Sequence, residues 1–138
     1  MLSIHRMSDY AVLILTRLAL EPERPRSAAS LEQEIPLALA TIRKVLRQMA
    51  QHGMVRSRQG RQGGFLLARS AANITLAQIL IAMEDPVLMT PCCRSDFICA
   101  LDGVCLSRSH WARIDRQIRL LLEKTTLAQL IAERDKEA

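Results

Sequence analysis

Along the first helix-length stretch the apolar positions recur at helical spacing. Val12, Leu15, Leu18 and Ala19 fall on one stripe, behind Ser8 as a helix cap and Asp9 in the first turn. Pro22 and Pro25 end this helix. A short second helix is predicted over Ala28 to Glu34, and Pro36 then suits the first turn of a third that runs to Gly53. On the third helix Leu39, Ile42, Leu46 and Met49 keep the three-four-three spacing of a buried face, leaving Ala40, Thr41, Arg43, Lys44 and Arg47 outward. Met54 to Arg58 and Phe65 to Ala68 read as two short strands. They are joined by Gln59-Gly60-Arg61-Gln62-Gly63-Gly64, whose glycines permit the positive dihedrals of a hairpin turn. Asn73 or Thr75 caps a fourth helix with Leu76, Ile79, Leu80 and Met83 inward, closed by Asp85-Pro86. After a loop from Val87 to about Leu106, a long helix from Ser107 to Lys124 carries Trp111, Ile114, Ile118 and Leu121 as a narrow seam. Leu127, Leu130 and Ile131 belong to a short terminal helix that returns to the body.

Two helices with a tight connection, followed by a hairpin, make a mainly α fold with a small β-hairpin wing: a winged helix-turn-helix. The organisation expected is a DNA-binding domain over 1–86, a cysteine-rich loop over 87–106, and a dimerisation helix with its tail over 107–138. A narrow apolar seam needs a partner helix, and pairing Trp111, Ile114, Ile118 and Leu121 with a second copy is favoured over packing on the chain's own domain. A two-fold homodimer would match two half-sites on a pseudo-palindromic operator in double-stranded DNA.

Charge sharpens this picture. The 138-residue chain has a formal net charge of +5. No Asp or Glu lies between Ile35 and Met83, while Arg43, Lys44, Arg47, Arg56, Arg58, Arg61 and Arg69 do. Such a block gives a positive field suited to a polyanion, provided the fold gathers it on one face rather than spreading it as a solvated surface. Arg61 at the hairpin tip is placed for the narrow minor groove. The glycine-rich turn lacks the Lys-Ser or Lys-Thr and the following helix of a phosphate-binding loop, so nucleotide binding is set aside. No stretch approaches the roughly 18 uninterrupted apolar residues of a membrane span, and Met1 to Met7 lack a signal-peptide pattern. A cytoplasmic location with no membrane contact is therefore expected. In that reducing compartment the four cysteines, all between Cys92 and Cys105, are thiols or metal ligands in preference to disulfides.

Three segments together, the Ser-Asp-Tyr-Ala helix start at Ser8, the wing from Gln59 to Ala68 and Cys-Ala-Leu-Asp-Gly-Val-Cys ending at Cys105, resemble the Rrf2 family of bacterial transcription regulators. The resemblance runs from about Met1 to Ile131. It is nearest to the branch that regulates the SUF system for iron-sulfur cluster assembly, and it implies a homodimeric winged-helix repressor or activator with a 2Fe-2S, less often 4Fe-4S, cluster. The family's three cysteines commonly stand with five residues in each gap, as Cys93, Cys99 and Cys105 do here. In the SUF-type branch the first gap can be one longer, which makes Cys92 the alternative first ligand. Soft thiolates suit iron in such clusters. For the fourth ligand, one branch uses a His where this chain has Arg108. His110 is the nearest substitute, and Asp9, at a position where another branch supplies a carboxylate from the partner subunit, is favoured over it. As ordinary residues, His110 would be a surface histidine and Asp9 a favourable charge at a helix N-terminus.

Better-known members carry acidic or amide side chains where Arg43 and Lys44 stand. Arg43 can pair with guanine O6 and N7, Lys44 and Arg47 can hold phosphates, and Arg58 and Arg61 extend the contact along the wing. The expected function is repression of SUF genes in response to an iron-sulfur cluster. The alternative within DNA binding is a zinc-holding or thiol-redox regulator, in which three thiolates and His110 hold the ion. An enzyme with a cysteine nucleophile and His110 as base has no oxyanion hole or paired carboxylates to support it, and a non-enzyme is expected.

Overall fold

The computed structural model describes residues 3–85 and 90–137. Expectations that fall on Met1, Pro86 and the start of the loop at Val87 lie outside the described residues. Helix α1 (Arg6–Leu20) is followed by α2 (Ala28–Glu34), α3 (Leu39–Gln51), the strands β1 (Val55–Arg58) and β2 (Gly64–Leu67), α4 (Leu76–Ala82), α5 (Arg108–Lys124) and α6 (Leu127–Glu137). Single 3₁₀ turns occupy Ala71–Asn73 and Pro91–Cys93. This is the mainly helical winged helix-turn-helix that the pattern predicts. No helix among the described residues is long and apolar enough to cross a membrane.

The core forms where the stripes of α1 and α3 meet. Ala11, Ile14, Leu15 and Leu18 of α1 pack with Ile42, Val45, Leu46 and Met49 of α3, closed by Leu31, Met54, Ile74 and Ile79. Leu127 at the start of α6 is fully buried in the same cluster, so the terminal helix does return to the body. Two backbone hydrogen bonds hold that return: Leu76 N–H donates to Thr125 O at 2.9 Å, and Leu127 N–H to Ile74 O at 2.8 Å. Thr75 caps α4 in a full capping box with Gln78, as one of the two expected caps.

Four local expectations are corrected. Helix α1 begins at Arg6, so Ser8 lies inside its first turn and is buried, not a cap. Its Oγ donates to Asp85 Oδ2 at 2.8 Å, and the same oxygen accepts from His5 N–H at 2.7 Å. Asp85 thus does from the end of α4 what a capping-box carboxylate does locally. Pro36 precedes α3 without entering its first turn; α3 starts at Leu39, whose N–H donates to Glu32 Oε1 of α2 at 3.1 Å. Within α3, Val45 replaces Leu39 in the fully buried row, and Leu39 is half-buried. The strands start one residue away from their expected bounds, paired antiparallel from Val55–Leu67 to Arg58–Gly64.

Candidate DNA interface and cysteine site

Helix α3 presents Ala40, Arg43, Lys44 and Arg47 to solvent and Thr41 half-buried, because Ile42, Val45, Leu46 and Met49 take the inward row. The wing stands beside it. Gly60 adopts φ +108° in the turn, a conformation that L side chains rarely adopt. Gly64, at φ +152°, lets the hairpin close on the α1–α2 connection: a Cβ there would sit 2.6 Å from the Arg26 carbonyl carbon. Arg43, Arg47 and Arg58 then line one groove of about 670 Å³ between α3 and the wing. Arg58 and Arg61 line a second, of about 920 Å³, between the wing and the segment leading into α2. Four of the seven cations of the acid-free run, Arg43, Arg47, Arg58 and Arg61, are therefore gathered by the fold between α3 and the wing, whereas Arg69 bonds Gln78 of α4. Among the described residues Arg43, Lys44, Arg47, Arg58 and Arg61 make no side-chain hydrogen bond or ion pair, whereas Arg17, Arg24, Arg26, Arg94, Arg108 and Arg119 are paired with carboxylates. Unpaired cations on one face leave their full charge for a polyanion.

The cysteines occupy the other end of the chain. Cys92 and Cys93 sit on the 3₁₀ turn with Thr90 Oγ1 2.9 Å and 3.4 Å from their sulfurs, and both are half-buried. They face α5 across a cleft of about 420 Å³ whose far wall is Arg108, Ala112, Asp115, Arg116 and Arg119. Asp115, the buried residue of α5, accepts from Arg119 Nε at 2.7 Å. Cys99 and Cys105 are half-buried free thiols. Hydrogen bonding from Ser107, first through its hydroxyl, 3.4 Å away, and then through its backbone, holds the Cys105 thiol below the usual thiol range. Among the described residues no three His, Cys, Asp or Glu side chains converge as a metal site. Cys92 and Cys93 share a cleft that neither Cys99, Cys105, Asp9 nor His110 lines. Asp9 is exposed on α1 and His110 exposed on α5. As a donor set, four free thiols on one short segment still fit an iron-sulfur cluster, since soft thiolates are the donors such clusters need.

Helix α5 has two distinct faces. The one carrying Arg108, Ala112, Asp115 and Arg119 is turned to Cys92 and Cys93. The expected seam is elsewhere: Ile114 and Ile118 are half-buried, while Trp111 is 37% and Leu121 65% exposed, so a single chain leaves it uncovered.

A model of the Rrf2 family, described as iron-dependent transcriptional regulators, matches residues 4–133. The chain belongs to the Rrf2 family. It is 31% identical over 127 residues to a candidate HTH-type transcriptional regulator, ORF2, of Azotobacter vinelandii, covering 91% of this chain and 77% of that protein. It is 27% identical, with the same coverage, to the HTH-type transcriptional regulator IscR of Serratia proteamaculans. Among solved structures it is similar to CymR, the global cysteine regulator of B. subtilis, with a TM-score of 0.81 and 27% identity over 96% of this chain and 98% of that one. This Rrf2 chain is a DNA-binding transcriptional regulator, and its winged helix-turn-helix is the family's fold.

Three residues of this Rrf2 regulator were missed by periodicity. Periodicity marks Asp85 only as part of a helix stop and does not single out Glu32 or Arg26. Each acts on the backbone of another element: Asp85 on the first turn of α1, Glu32 on the start of α3 and Arg26 on Phe65 of the wing. The signal available was an acid or base of the right sign near a helix end or turn, which sequence alone does not pair with its target.

Proposed function

We propose that this Rrf2 regulator is a homodimeric repressor of SUF iron-sulfur assembly genes whose grip on a pseudo-palindromic operator depends on an iron-sulfur cluster held by the loop over 87–106. The observation that carries the reading is that one chain combines a face of unpaired cations on α3 and wing with four free thiols on one short segment, two of which, Cys92 and Cys93, face α5 across a cleft. Cys93 or Cys92, with Cys99 and Cys105, would hold the cluster, with Asp9 favoured over His110 as the fourth ligand. The cluster, 2Fe-2S in preference to 4Fe-4S, supplies a redox-active, iron-dependent cross-link. The chain's own part is mechanical: gathering the loop shifts α5, and α5 carries the dimer seam of Trp111, Ile114, Ile118 and Leu121, so half-site spacing changes. Arg43 reads a guanine edge, Thr41 and Ala40 contact base edges, and Lys44, Arg47, Arg58 and Arg61 hold backbone or minor groove. The reading is non-catalytic and cytoplasmic.

Anaerobic reconstitution with iron and sulfide, followed by visible spectroscopy and DNA titration of the same sample with and without its cluster, tests this. A brown chromophore lost in Cys99→Ser or Cys105→Ser, with fold and dimer intact, is expected; a colourless protein with stoichiometric zinc overturns the cluster. Arg43→Ala should cost about 1–3 kcal/mol of operator affinity and relax preference at one G·C position. Uniform weakening on all sequences sinks the base-reading role.

A second reading is favoured by the Cys105 thiol, which Ser107 holds below the usual range. In it the thiols respond to oxidation, or three of them hold zinc with His110, without a cluster.

A further inference from the structure

We infer that Arg26 is the positioning residue of the wing, a buried clamp that fixes the hairpin against the helix-turn-helix. A lone two-stranded hairpin is marginal in water, and the wing here is just such a pair. It is held from behind. Arg26 N–H donates to Phe65 O at 3.0 Å and Phe65 N–H donates to Arg26 O at 2.8 Å, a strand-like bridge near the turn end of the hairpin. That bridge stands one residue before Ser27, whose hydroxyl caps α2 by accepting from Ser30 N–H at 3.0 Å. The backbone of Arg26 therefore joins the wing to the first helix of the helix-turn-helix.

The side chain holds this backbone in place. It is 7% exposed, unusual for an arginine, and its two terminal nitrogens diverge: one pairs with Glu21 Oε1 at 3.4 Å, the other with Glu34. Glu21 follows α1, and Glu34 is the last residue of α2. Each acid has a second arginine, Arg24 on Glu21 and Arg17 on Glu34, which keeps it oriented. The planar fork of a guanidinium reaches both acids at once; the single ammonium of a lysine does not. Glu34, which lines the same groove as Arg58 and Arg61, is thereby neutralised by Arg26 and Arg17; Glu23 is the other carboxylate of that groove.

The test is amide hydrogen exchange of the full-length chain, with DNA affinity measured in parallel on the tightest duplex that the wild-type chain selects from a random-sequence pool. In Arg26→Met, exchange at Phe65 and Arg58 is expected to speed up at least about tenfold, the effect of losing one ordinary hydrogen bond's worth of protection, while Ile42 to Met49 stay protected. Unchanged exchange at Phe65 overturns the inference. If Arg26→Met unfolds the chain, Arg26→Lys and Glu34→Gln keep the question open to measurement: a smaller acceleration confined to the wing supports the clamp, and none overturns it. The affinity arm rests on the proposed DNA contact of the wing; the exchange arm does not. Arg26→Met should weaken DNA binding, and adding Arg61→Ala should then cost less than it does in the wild type. Fully additive losses overturn the clamp's role in binding. A loosened wing with unchanged affinity, together with a silent Arg61→Ala, supports the clamp and instead defeats the wing as a DNA contact.

Discussion

From α1 to α4 most large apolar side chains end inside the protein, Leu13 and Ile81 being exposed, whereas between Thr90 and Leu106 they end outside. Ile14, Leu15, Ile42 and Leu46 are fully buried; Ile98 is 94% and Leu106 91% exposed. Burying a side chain of this size is worth roughly 1.5–3 kcal/mol, so the winged half, closed by Leu127 of α6, holds its shape on core contacts and the cysteine loop forgoes that stabilisation. The polar interactions divide the same way. In the winged half they fix the backbone of another element: Asp85 to α1 and Arg26 to Phe65 over long sequence distances, and Glu32 to α3 over seven residues. In the loop they are local, Arg94 with Asp96, Thr90 with Cys92, Cys105 with Ser107. A rigid reader joined to a segment with few long-range ties is the arrangement in which binding at the loop reorders the loop first, at low cost, and leaves the DNA surface intact.

This contrast can be broken by substitutions matched across the two regions. The largest effect is expected for Leu46→Ala on α3, about 2–5 kcal/mol lost in urea or thermal unfolding through an unfilled cavity. Leu106→Ala, the same change in the loop, should stay within about 0.5 kcal/mol; comparable losses at both would mean that the loop is packed after all. Next comes the tie between the two ends of the winged half. Asp85→Ala removes the acceptor of two hydrogen bonds at a side chain that is 1% exposed and should cost about 1–3 kcal/mol. Asp85→Asn, which keeps one acceptor oxygen, should cost less; equal losses would assign the effect to charge instead of capping. Smallest in stability is Leu121→Lys on α5, within about 0.5 kcal/mol when the chain is dilute enough to be monomeric. In sedimentation at higher concentration the same variant should shift the protein from dimer to monomer, and an unchanged dimer would move the seam off this face.

What was legible in the sequence was whatever is periodic or carries its own local chemistry. Most of the inward row of α3, the hairpin with its glycine turn, the Thr75 cap, the terminal helix and the acid-free run of cations follow from spacing along the chain, because a helix or strand fixes which neighbours share a face. On α1 only Leu15 and Leu18 of the expected stripe are fully buried, beside Ala11 and Ile14, while Val12 and Ala19 are half-buried. The boundaries that moved did so for non-local reasons. Helix α1 extends back to Arg6 because Asp85 accepts from its first turn, and α3 starts at Leu39 where Glu32 reaches its N–H. Tertiary structure also decided that the cations of α3 and the wing share grooves without carboxylate partners, while Arg26 is buried between two acids. It decided, too, that Cys92 and Cys93 face the polar side of α5, apart from its apolar seam. Spacing by itself specifies the faces of each element; which charge meets which, and which thiols share a cleft, depends on how those faces are packed together, and that is set by the whole core at once.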